Sequence, residues 1–411
     1  MTEAFMKSYR LKITTYSPVH IGDSRDLEPT EYVIYSEKAS PSLPRKQESA
    51  CIICPECGYK NPVNARTCGS CDSELPRQTL SVQKPEPVAK PDSYLYTFTP
   101  AQLSAALSDA DKKILLKEAD KGDLTTLQRF FKNKAAAIAK TAAKRAFVGR
   151  QVADKYEKSV GQISSKSNDS NKFVIEKQIS DAVTGLPYIP GSSLKGAIRT
   201  ALMSAKNKRS QLKGADAEKA LYGYDNPTND PFKALKLEDG IAVSPFMTEI
   251  GTAENVKRTV NKSVAQKGLT VFIETVPPKT VFESSLTFSF ASNDACRFGE
   301  TIASVRSACN DFYFDILNDG ETAQVNTHGI DSSLFSELEK IKQKRNAFLL
   351  CLGKHGGAES KTIDGLRNIR IMTGKGNAPM FLDHATTYWF ANNGKERLPF
   401  GWCVVEFEEM K

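Results

Sequence analysis

Four cysteines in the first fifth of the chain have the spacing of metal ligands. They form two C-x2-C pairs: Cys54 with Cys57, and Cys68 with Cys71. Each pair makes a tight turn that directs two thiolates at one ion, and Gly58 suits the left-handed backbone of such a turn. Four thiolates satisfy the tetrahedral preference of Zn²⁺ and leave no open position. We predict a structural zinc ribbon. Disulfides are the alternative, which a cytosolic location disfavours, and Cys51 is interpreted as a bystander.

A second candidate site is the glycine-rich segment IPGSSLKGAIRTAL at residues 189–202. Gly191 is expected to let a ligand backbone come close, and Ser192 or Ser193 to cap the following helix. The N–H groups at a helix start bind phosphate well. The predicted phosphate-binding residues are Gly191, Ser192, Ser193, Lys195, Gly196 and Arg199.

Lys195 and Arg199 are four residues apart and therefore share one helix face. The lysine precedes the second glycine, so the segment is not a Walker P-loop. The alternative interpretation is a well-capped core helix whose positive face is merely solvated. Four apolar residues are expected to face the core: Leu194, Ile198, Ala201 and Leu202.

A third candidate is the stretch FLLCLGKHGGAESKTIDGLRN, which begins at residue 348 and combines glycines with basic residues. This composition favours a second phosphate-binding surface, with a flexible solvent loop as the alternative. Its candidate contacts are Lys354, Lys361, Arg367, Arg370 and, just beyond it, Lys375.

Few residues are available for acid–base catalysis, because the chain has four histidines. His20 and Gly22 follow the first strand, and His20 is a candidate RNA contact, although a structural hydrogen bond at a turn is the favoured interpretation. His355 lies among glycines and could meet phosphate. Neither histidine has an evident partner that would tune it for catalysis, and HD and GGDD motifs are absent. We expect no enzymatic activity.

Charge is unevenly distributed along the chain. The net charge is +8, yet residues 140–214 hold 15 Lys or Arg against 5 Asp or Glu. Such a basic stretch indicates a polyanionic partner, with a solvated charged face as the alternative. No apolar run is long enough to span a bilayer, and a secretory signal pattern is absent. A cytoplasmic protein is expected, with no membrane partner.

Hydrophobic periodicity predicts the elements that position these residues. Residues 9–15 alternate as a half-buried strand, and 31–35 form a second. A change of composition marks 51–76 as an inserted module, followed by a proline-rich linker at 77–92. Residues 99–147 are expected to be helical, with Thr99 as N-cap and Pro100 in the first turn. Further strands are predicted at 94–98, 173–179, 235–243, 269–276, 281–290 and 398–408, and helices at 192–205, 215–222, 292–309 and 331–344.

Strands and helices mix without regular alternation, which indicates an α+β fold with mostly antiparallel sheets. Residues 1–36 together with 93–411 are predicted to form the core, and 161–172 a polar loop.

The segment IPGSSLKGAIRTAL resembles the signature loop of the RAMP superfamily of CRISPR effector complexes. Three further stretches narrow the resemblance to the fifth Csm subunit of type III-A complexes. They are the opening YRLKITTYSPVHIGD with LEPTEYVIY, the segment NDPFKALKLEDG, and the ending RLPFGWCVVEF, besides the second glycine-rich stretch. The zinc ribbon is a departure from the family's common core.

The resemblance implies two ferredoxin-like, RRM-type halves that grip RNA by its backbone. It implies a non-catalytic subunit that caps the 3′ end of the guide RNA, with other Csm subunits, nearby target RNA and recruited host nucleases as partners. Phosphate contacts position RNA without reading its bases, which suits guides of varying sequence. Three alternatives stay open: a guide-processing RAMP endoribonuclease, a terminal subunit of a Cmr-like complex, and a zinc-ribbon DNA-binding protein.

Overall fold

The computed structural model divides the chain into two compact units, one formed by residues 1–35 and 93–411 and the other by 36–92. Nearly all of the linker predicted at 77–92 and of the loop predicted at 161–172 lies outside the described residues, as does Lys375. The described residues are 6–36, 51–54, 56–62, 65–74, 92–142, 144–161, 173–214, 216–259, 268–289, 298–371 and 378–410.

Strands occur in both units. In chain order, β1 to β19 are Met6–Thr15, Gly22–Leu27, Tyr32–Ser36, Cys51–Ile53, Lys60–Pro62, Ser93–Thr97, Lys144–Val148, Ile175–Gln178, Leu235–Leu237, Ile241–Ala242, Glu249–Lys257, Thr270–Thr275, Val281–Ser289, Ala347–Cys351, Ile369–Ile371, Met380–Leu382, Thr387–Asn392, Arg397–Pro399 and Trp402–Glu409.

Helices fall mainly between the strands of the larger unit. In chain order, α1 to α9 are Pro100–Ala106, Asp109–Asp120, Leu124–Asn133, Ala135–Thr141, Arg150–Ser159, Gly191–Ser210, Ala217–Tyr222, Ile302–His328 and Ser333–Glu339. Single 3₁₀ turns occur at Pro227–Asn229, Pro231–Ala234, Lys340–Gln343 and Glu359–Lys361.

A six-stranded antiparallel sheet carries the main core. Its order is β10-β13-β1-β19-β14, and β9 also pairs with β13. The predicted alternation of β1 is confirmed, since Leu11 and Ile13 are buried while Lys12 between them is exposed. Helices α6 and α8 pack together, and the hydroxyl of Tyr313 donates to the Ala197 carbonyl at 3.0 Å.

A nine-stranded sheet forms the other part of the larger unit. Its order is β2-β8-β12-β11-β7-β6-β3, with β17 paired to β11 and β18 paired to β17. Helix α5 covers it because Val152, Ala153 and Tyr156 form one apolar stripe along the helix. The mixed, non-alternating architecture confirms the predicted α+β class.

The sequence located most elements and misplaced several boundaries. Thr99 caps α1 with a complete capping box, as predicted. The helical region ends earlier than expected, because 144–148 is strand β7 and not helix. The helix expected at 292–309 is observed from Ile302 and continues past its predicted end to His328, while 292–297 lie outside the described residues. Strand β11 was not predicted, since its sequence EIGTAENVK shows little apolar alternation.

The smaller unit contains the short antiparallel pair β4 and β5. No helix in the described part of the chain is both long and apolar enough to cross a bilayer.

Candidate nucleic-acid interface and cysteine cluster

The start of α6 differs from the predicted capping arrangement. The residue at the cap position is Pro190, and neither Ser192 nor Ser193 caps the helix through its side chain. Instead, the Gly191 N–H donates to the carboxylate of Asp239 at 2.7 Å. The protein's own anion therefore occupies the position expected for a phosphate at the first amide.

The structural requirement for Gly191 also differs from the expected one. A Cβ built on Gly191 would lie 2.5 Å from the Leu237 carbonyl oxygen and 2.9 Å from that of Glu238. The close approach is made by the chain's own backbone and not by a ligand. Gly191 is thus a packing glycine rather than an RNA contact.

Arg199 is occupied by intramolecular partners, contrary to its expected role as a phosphate contact. Its guanidinium pairs with Asp230 at 2.7 Å, donates to the Tyr224 hydroxyl at 2.6 Å, and lies 4.3 Å from the ring centre of Phe232. Only 21% of its side chain is exposed. The guanidinium fastens α6 to the segment that leads into β9, so its role is structural.

Ser192, Lys195 and Gly196 remain at the surface of α6. Within the described residues, Lys195 has neither a hydrogen bond nor a salt bridge. A Cβ on Gly196 would meet nothing within 4 Å. Partial burial lowers the pKa of Lys195, opposed by Asp230 and assisted by Arg199. These residues form an open face, the α6 face, with one uncommitted cation. The four residues predicted to face the core are buried, as expected.

His20 lies in the interior and does not reach a surface where RNA could bind. Its side chain is 1% exposed, and its Nδ1 lies 2.7 Å from the Glu274 carbonyl oxygen. Burial lowers its pKa, opposed by that carbonyl and by Glu176. The favoured interpretation as a structural histidine agrees with this position, whereas the assignment as an RNA contact does not. Gly22 nearby is exposed.

Glu176 on β8 connects the two glycine-containing loops. Its carboxylate accepts two 2.8 Å hydrogen bonds from Lys354 and lies 3.8 Å from His20 Nε2 and 3.6 Å from His355 Nε2. Burial works to raise the pKa of Glu176, but Lys354 and the two histidines lower it below its usual range. Both histidines thus lie near a carboxylate that the sequence did not reveal; the absence of a partner that tunes them for catalysis stays a prediction.

His355 occupies a strained and enclosed position. Its backbone has φ +68°, and its ring centre lies 4.2 Å from that of Trp389. Burial lowers the pKa of His355 to about 4, although the Glu176 carboxylate opposes the shift. The imidazole is consequently neutral at physiological pH.

Most described cations of the second glycine-rich stretch have intramolecular partners. Lys354 binds Glu176, Lys361 donates to the Cys351 carbonyl at 2.8 Å, and Arg367 pairs with Asp364 at 3.0 Å. Arg370 on β15 is exposed and, among the described residues, has no hydrogen bond or salt bridge. It is the cation of this stretch that is best placed for an external partner.

The four predicted ligand cysteines converge in the smaller unit. Their sulfur atoms all lie within 4.8 Å of one another, with Cys54 to Cys71 at 3.6 Å and Cys57 to Cys68 at 3.5 Å. These separations exceed a disulfide bond and approach the edge, about 3.8 Å, of a tetrahedron with Zn–S bonds of about 2.3 Å.

Each cysteine pair is built as the same turn. Gly58 has φ +71° and donates its N–H to the Cys54 carbonyl; Asp72 has φ +59° and donates equivalently to Cys68. The Cys68 sulfur also accepts from the side-chain amide of Asn61 at 3.5 Å. This repeated geometry, with donors directed at sulfur, is compatible with a closed zinc site.

Comparison with known proteins identifies the family. The family model described as the RAMP superfamily matches residues 12–313. This chain belongs to the RAMP superfamily. The resemblance noted from IPGSSLKGAIRTAL is thereby confirmed. The signature segment of this RAMP protein forms the start of α6 and includes the α6 face. No curated protein matches the chain at a significant level.

Two solved structures share the fold of this RAMP protein. A chain in a cryo-EM structure of a Csm–crRNA–target RNA ternary complex of a type III-A CRISPR-Cas system is 16% identical, with a TM-score of 0.58; the match covers 97% of this chain and 100% of that one. The crystal structure of Csm5 from T. onnurineus is also 16% identical, with a TM-score of 0.51, covering 96% and 99%. The resemblance to the Csm branch is confirmed at the level of the fold.

Three acidic residues of the site were not predicted from the sequence. Asp230 and Asp239 both lie in NDPFKALKLEDG, which had been noted for its resemblance alone. Acidic residues in the segment that follows a basic helix were a usable signal for ion pairs with that helix. Glu176 had no such signal, because it is 156 residues from His20 and 179 residues from His355 in the chain.

Proposed function

We propose that this RAMP protein is a non-catalytic RNA-binding subunit of a type III-A Csm effector complex, which caps the 3′ end of the guide RNA and supports its maturation and complex assembly. The observation that carries the proposal is the open α6 face within a fold shared with Csm5. That face has an uncommitted lysine and a glycine that no intramolecular contact requires.

Gly196 is the more informative of the two residues. A glycine inside a helix costs about 1 kcal/mol relative to alanine, and nothing in the described chain lies within 4 Å of the position of its Cβ. Its φ is not positive either. The remaining reason for a glycine is close approach by something external, and an RNA backbone beside Lys195 fits both the space and the charge.

The order of elements in the six-stranded sheet supports the ferredoxin-like part of the proposal. Among strands β1, β9, β13 and β19 and the two helices α6 and α8, the chain order is β1, α6, β9, β13, α8 and β19. The strands lie in the order β9-β13-β1-β19 with antiparallel pairing. This is the β-α-β-β-α-β arrangement of the ferredoxin-like motif, with β14 added at one edge.

A non-catalytic role is supported by the position of the histidines. A general acid or base must come within hydrogen-bond reach of the proton that it transfers. His20 is enclosed, and its Nδ1 faces a backbone carbonyl. A guide-processing endoribonuclease that relies on His20 is therefore disfavoured.

We further propose that Cys54, Cys57, Cys68 and Cys71 hold a structural Zn²⁺. A module of this size has too few apolar residues for a core of its own, so metal binding would supply most of its folding free energy. Other Csm subunits and the guide RNA are the proposed partners, with target RNA nearby; recruited nucleases and a cytoplasmic location stay predictions.

The test is reconstitution of the complex with guide RNA and a Lys195→Glu variant. Charge reversal on the α6 face should weaken incorporation of this subunit at least tenfold and alter the length of the mature guide. Lys113→Glu is the matched control, because Lys113 is an exposed helical lysine without a hydrogen bond or salt bridge among the described residues. Unchanged incorporation and guide length with Lys195→Glu would overturn the proposal.

A further inference from the structure

A cavity of about 150 Å³ lies in the larger unit, away from the α6 face. One wall is α8, a second is β17, and a third is the loop at 355–357 with Phe400. No residue of 190–199 lines it. It is a separate feature from the proposed phosphate contact.

Unpartnered polar atoms concentrate around this cavity. Among the described residues, six buried side-chain nitrogen or oxygen atoms have no hydrogen-bond partner, and four of them belong to residues that line it. Gln324 is 7% exposed and the His355 side chain is 6% exposed. A buried polar group without a partner is destabilising, so their grouping points to the cavity as a site for a polar ligand. The four atoms are Gln324 Oε1, Arg258 Nε, Arg367 Nε and His355 Nε2, which lies 3.6 Å from the Glu176 carboxylate and does not hydrogen-bond to it.

The charges around the cavity argue against an anionic ligand. Arg258 already pairs with Glu359 at 2.5 Å, and Arg367 pairs with Asp364 at 3.0 Å. The two guanidinium charges are therefore neutralised, while their Nε–H donors stay unused. The residues that line the cavity offer Nε–H donors and the Gln324 Oε1 acceptor rather than net positive charge. Such a lining suits an uncharged polar group better than a phosphate.

The second and third walls carry aromatic side chains. Tyr388, Trp389 and Phe400 line the cavity, and the Arg258 guanidinium lies 4.6 Å from the ring centre of Tyr388. A flat ligand with apolar faces and a polar edge would match such walls. Unstacked nucleobases of single-stranded RNA are bound in this way, between aromatic or guanidinium planes and with hydrogen bonds to their edges.

We propose that this cavity receives one unpaired nucleobase of the bound RNA, with Gln324, His355, Arg258 and Arg367 hydrogen-bonding its edge. The inference rests on the proposed function, because it takes the RNA held at the α6 face as the source of the base. It adds a base contact to a subunit otherwise expected to contact only the RNA backbone. One extruded base near the 3′ end would then anchor the guide in register.

The experiment measures binding of guide RNAs by the full chain. In a series of RNAs, single nucleotides near the 3′ end are replaced one at a time by abasic residues. Loss of one particular base should weaken binding about tenfold, as expected for a stacked base, while the other abasic positions should have little effect. A 4-thiouridine at that position should crosslink to β17.

Gln324→Leu removes the amide while nearly keeping its volume, and Gln151→Leu is the control at an exposed helical glutamine. The Gln324 variant should bind intact RNA as weakly as wild type binds the sensitive abasic RNA. A uniform abasic series without a crosslink to β17 would overturn the inference and leave water as the occupant. If Gln324→Leu does not fold, the abasic series and the crosslink in wild type still decide.

Failure of the proposed function gives a different result. Lys195→Glu should weaken binding of intact and abasic RNAs alike. If wild type binds neither the intact nor the abasic RNAs, and the complex assembles equally well with Lys195→Glu, both the proposed function and this inference are wrong. If RNA binds but no base matters, only the inference falls.

Discussion

Gly191 donates its backbone N–H to the carboxylate of Asp239 at 2.7 Å, so the protein itself neutralises the amino terminus of α6. This contact separates the two glycines of the signature segment. Gly191 is held against 237–239 by its own chain, whereas Gly196 faces open space. A single motif thus contains one glycine that the packing of the chain requires and one that no intramolecular contact requires.

Alanine substitutions at these glycines should have opposite effects on stability. In Gly191→Ala the new methyl would lie 2.5 Å from the Leu237 carbonyl oxygen, and we expect a loss of at least about 2 kcal/mol in the free energy of unfolding. Gly196→Ala should gain up to about 1 kcal/mol through helix propensity while weakening RNA binding. Urea denaturation of both variants checks this; equal stabilities would contradict it.

Arg199 is expected to matter for stability before it matters for RNA. Arg199→Gln leaves the half-buried Asp230 without its cation, and we expect a loss of about 1–3 kcal/mol in the free energy of unfolding. Lys208→Gln is the control, because its pair with Asp315 is 72% and 68% exposed and should contribute under about 0.5 kcal/mol. Thermal or urea unfolding measures both. An Arg199→Gln protein with wild-type stability and weak RNA binding would contradict the structural role and support Arg199 as a phosphate contact.

Stability should fall on mild acidification because His355, His20 and Glu176 have lowered pKa values in the folded chain. The pKa of His355 is about 4 in the folded chain against about 6.5 when unfolded. The unfolded state therefore binds more protons between these values, and stability falls as pH falls from about 6.5 to about 4. The lowered pKa values of His20 and Glu176 act in the same direction.

His355→Asn tests this contribution, since asparagine tolerates the positive φ. Its unfolding free energy should change less steeply with pH over that range than that of wild type. His384→Asn, at an exposed histidine, should keep the wild-type slope. A His355→Asn slope identical to wild type would exclude His355 as a source of the acid sensitivity.

Removal of the metal should affect the smaller unit alone. Cys57→Ser, or a strong chelator, should release one Zn²⁺ per chain and expose the amides of 51–74 to hydrogen exchange. The amides of 93–411 should keep their protection. Metal analysis and exchange mass spectrometry provide the measurements. Cys51→Ser should retain the metal, and loss of zinc in that variant would make Cys51 a ligand.

Local sequence patterns were sufficient for many elements of the fold. The alternation through Leu11 and Ile13 located β1, and the capping signal of Thr99 located α1. The apolar stripe of α6, with Leu194 and Ile198, was predicted together with its buried face. These patterns act over a few residues, so the sequence displays them directly.

The cysteine ligand set also needed nothing beyond spacing. Two C-x2-C pairs and a glycine define the turns, and the structure brings the four sulfur atoms together within the same short unit. The boundary error at 144–148, by contrast, has a non-local cause. Strand β7 follows a helical run without a break in composition, and its pairing with β6 and β11 decides its conformation.

The sequence by itself determined the α+β class, the cysteine cluster and the signature segment of the RAMP family, because each depends on residues that are close in the chain. Tertiary structure alone decided which of its charges are already occupied. Arg199 is neutralised by Asp230 and Lys354 by Glu176, across separations of 31 and 178 residues. Electrostatic pairing depends on distance in space, so only the fold could leave Lys195 as the cation of the α6 face without an intramolecular partner among the described residues.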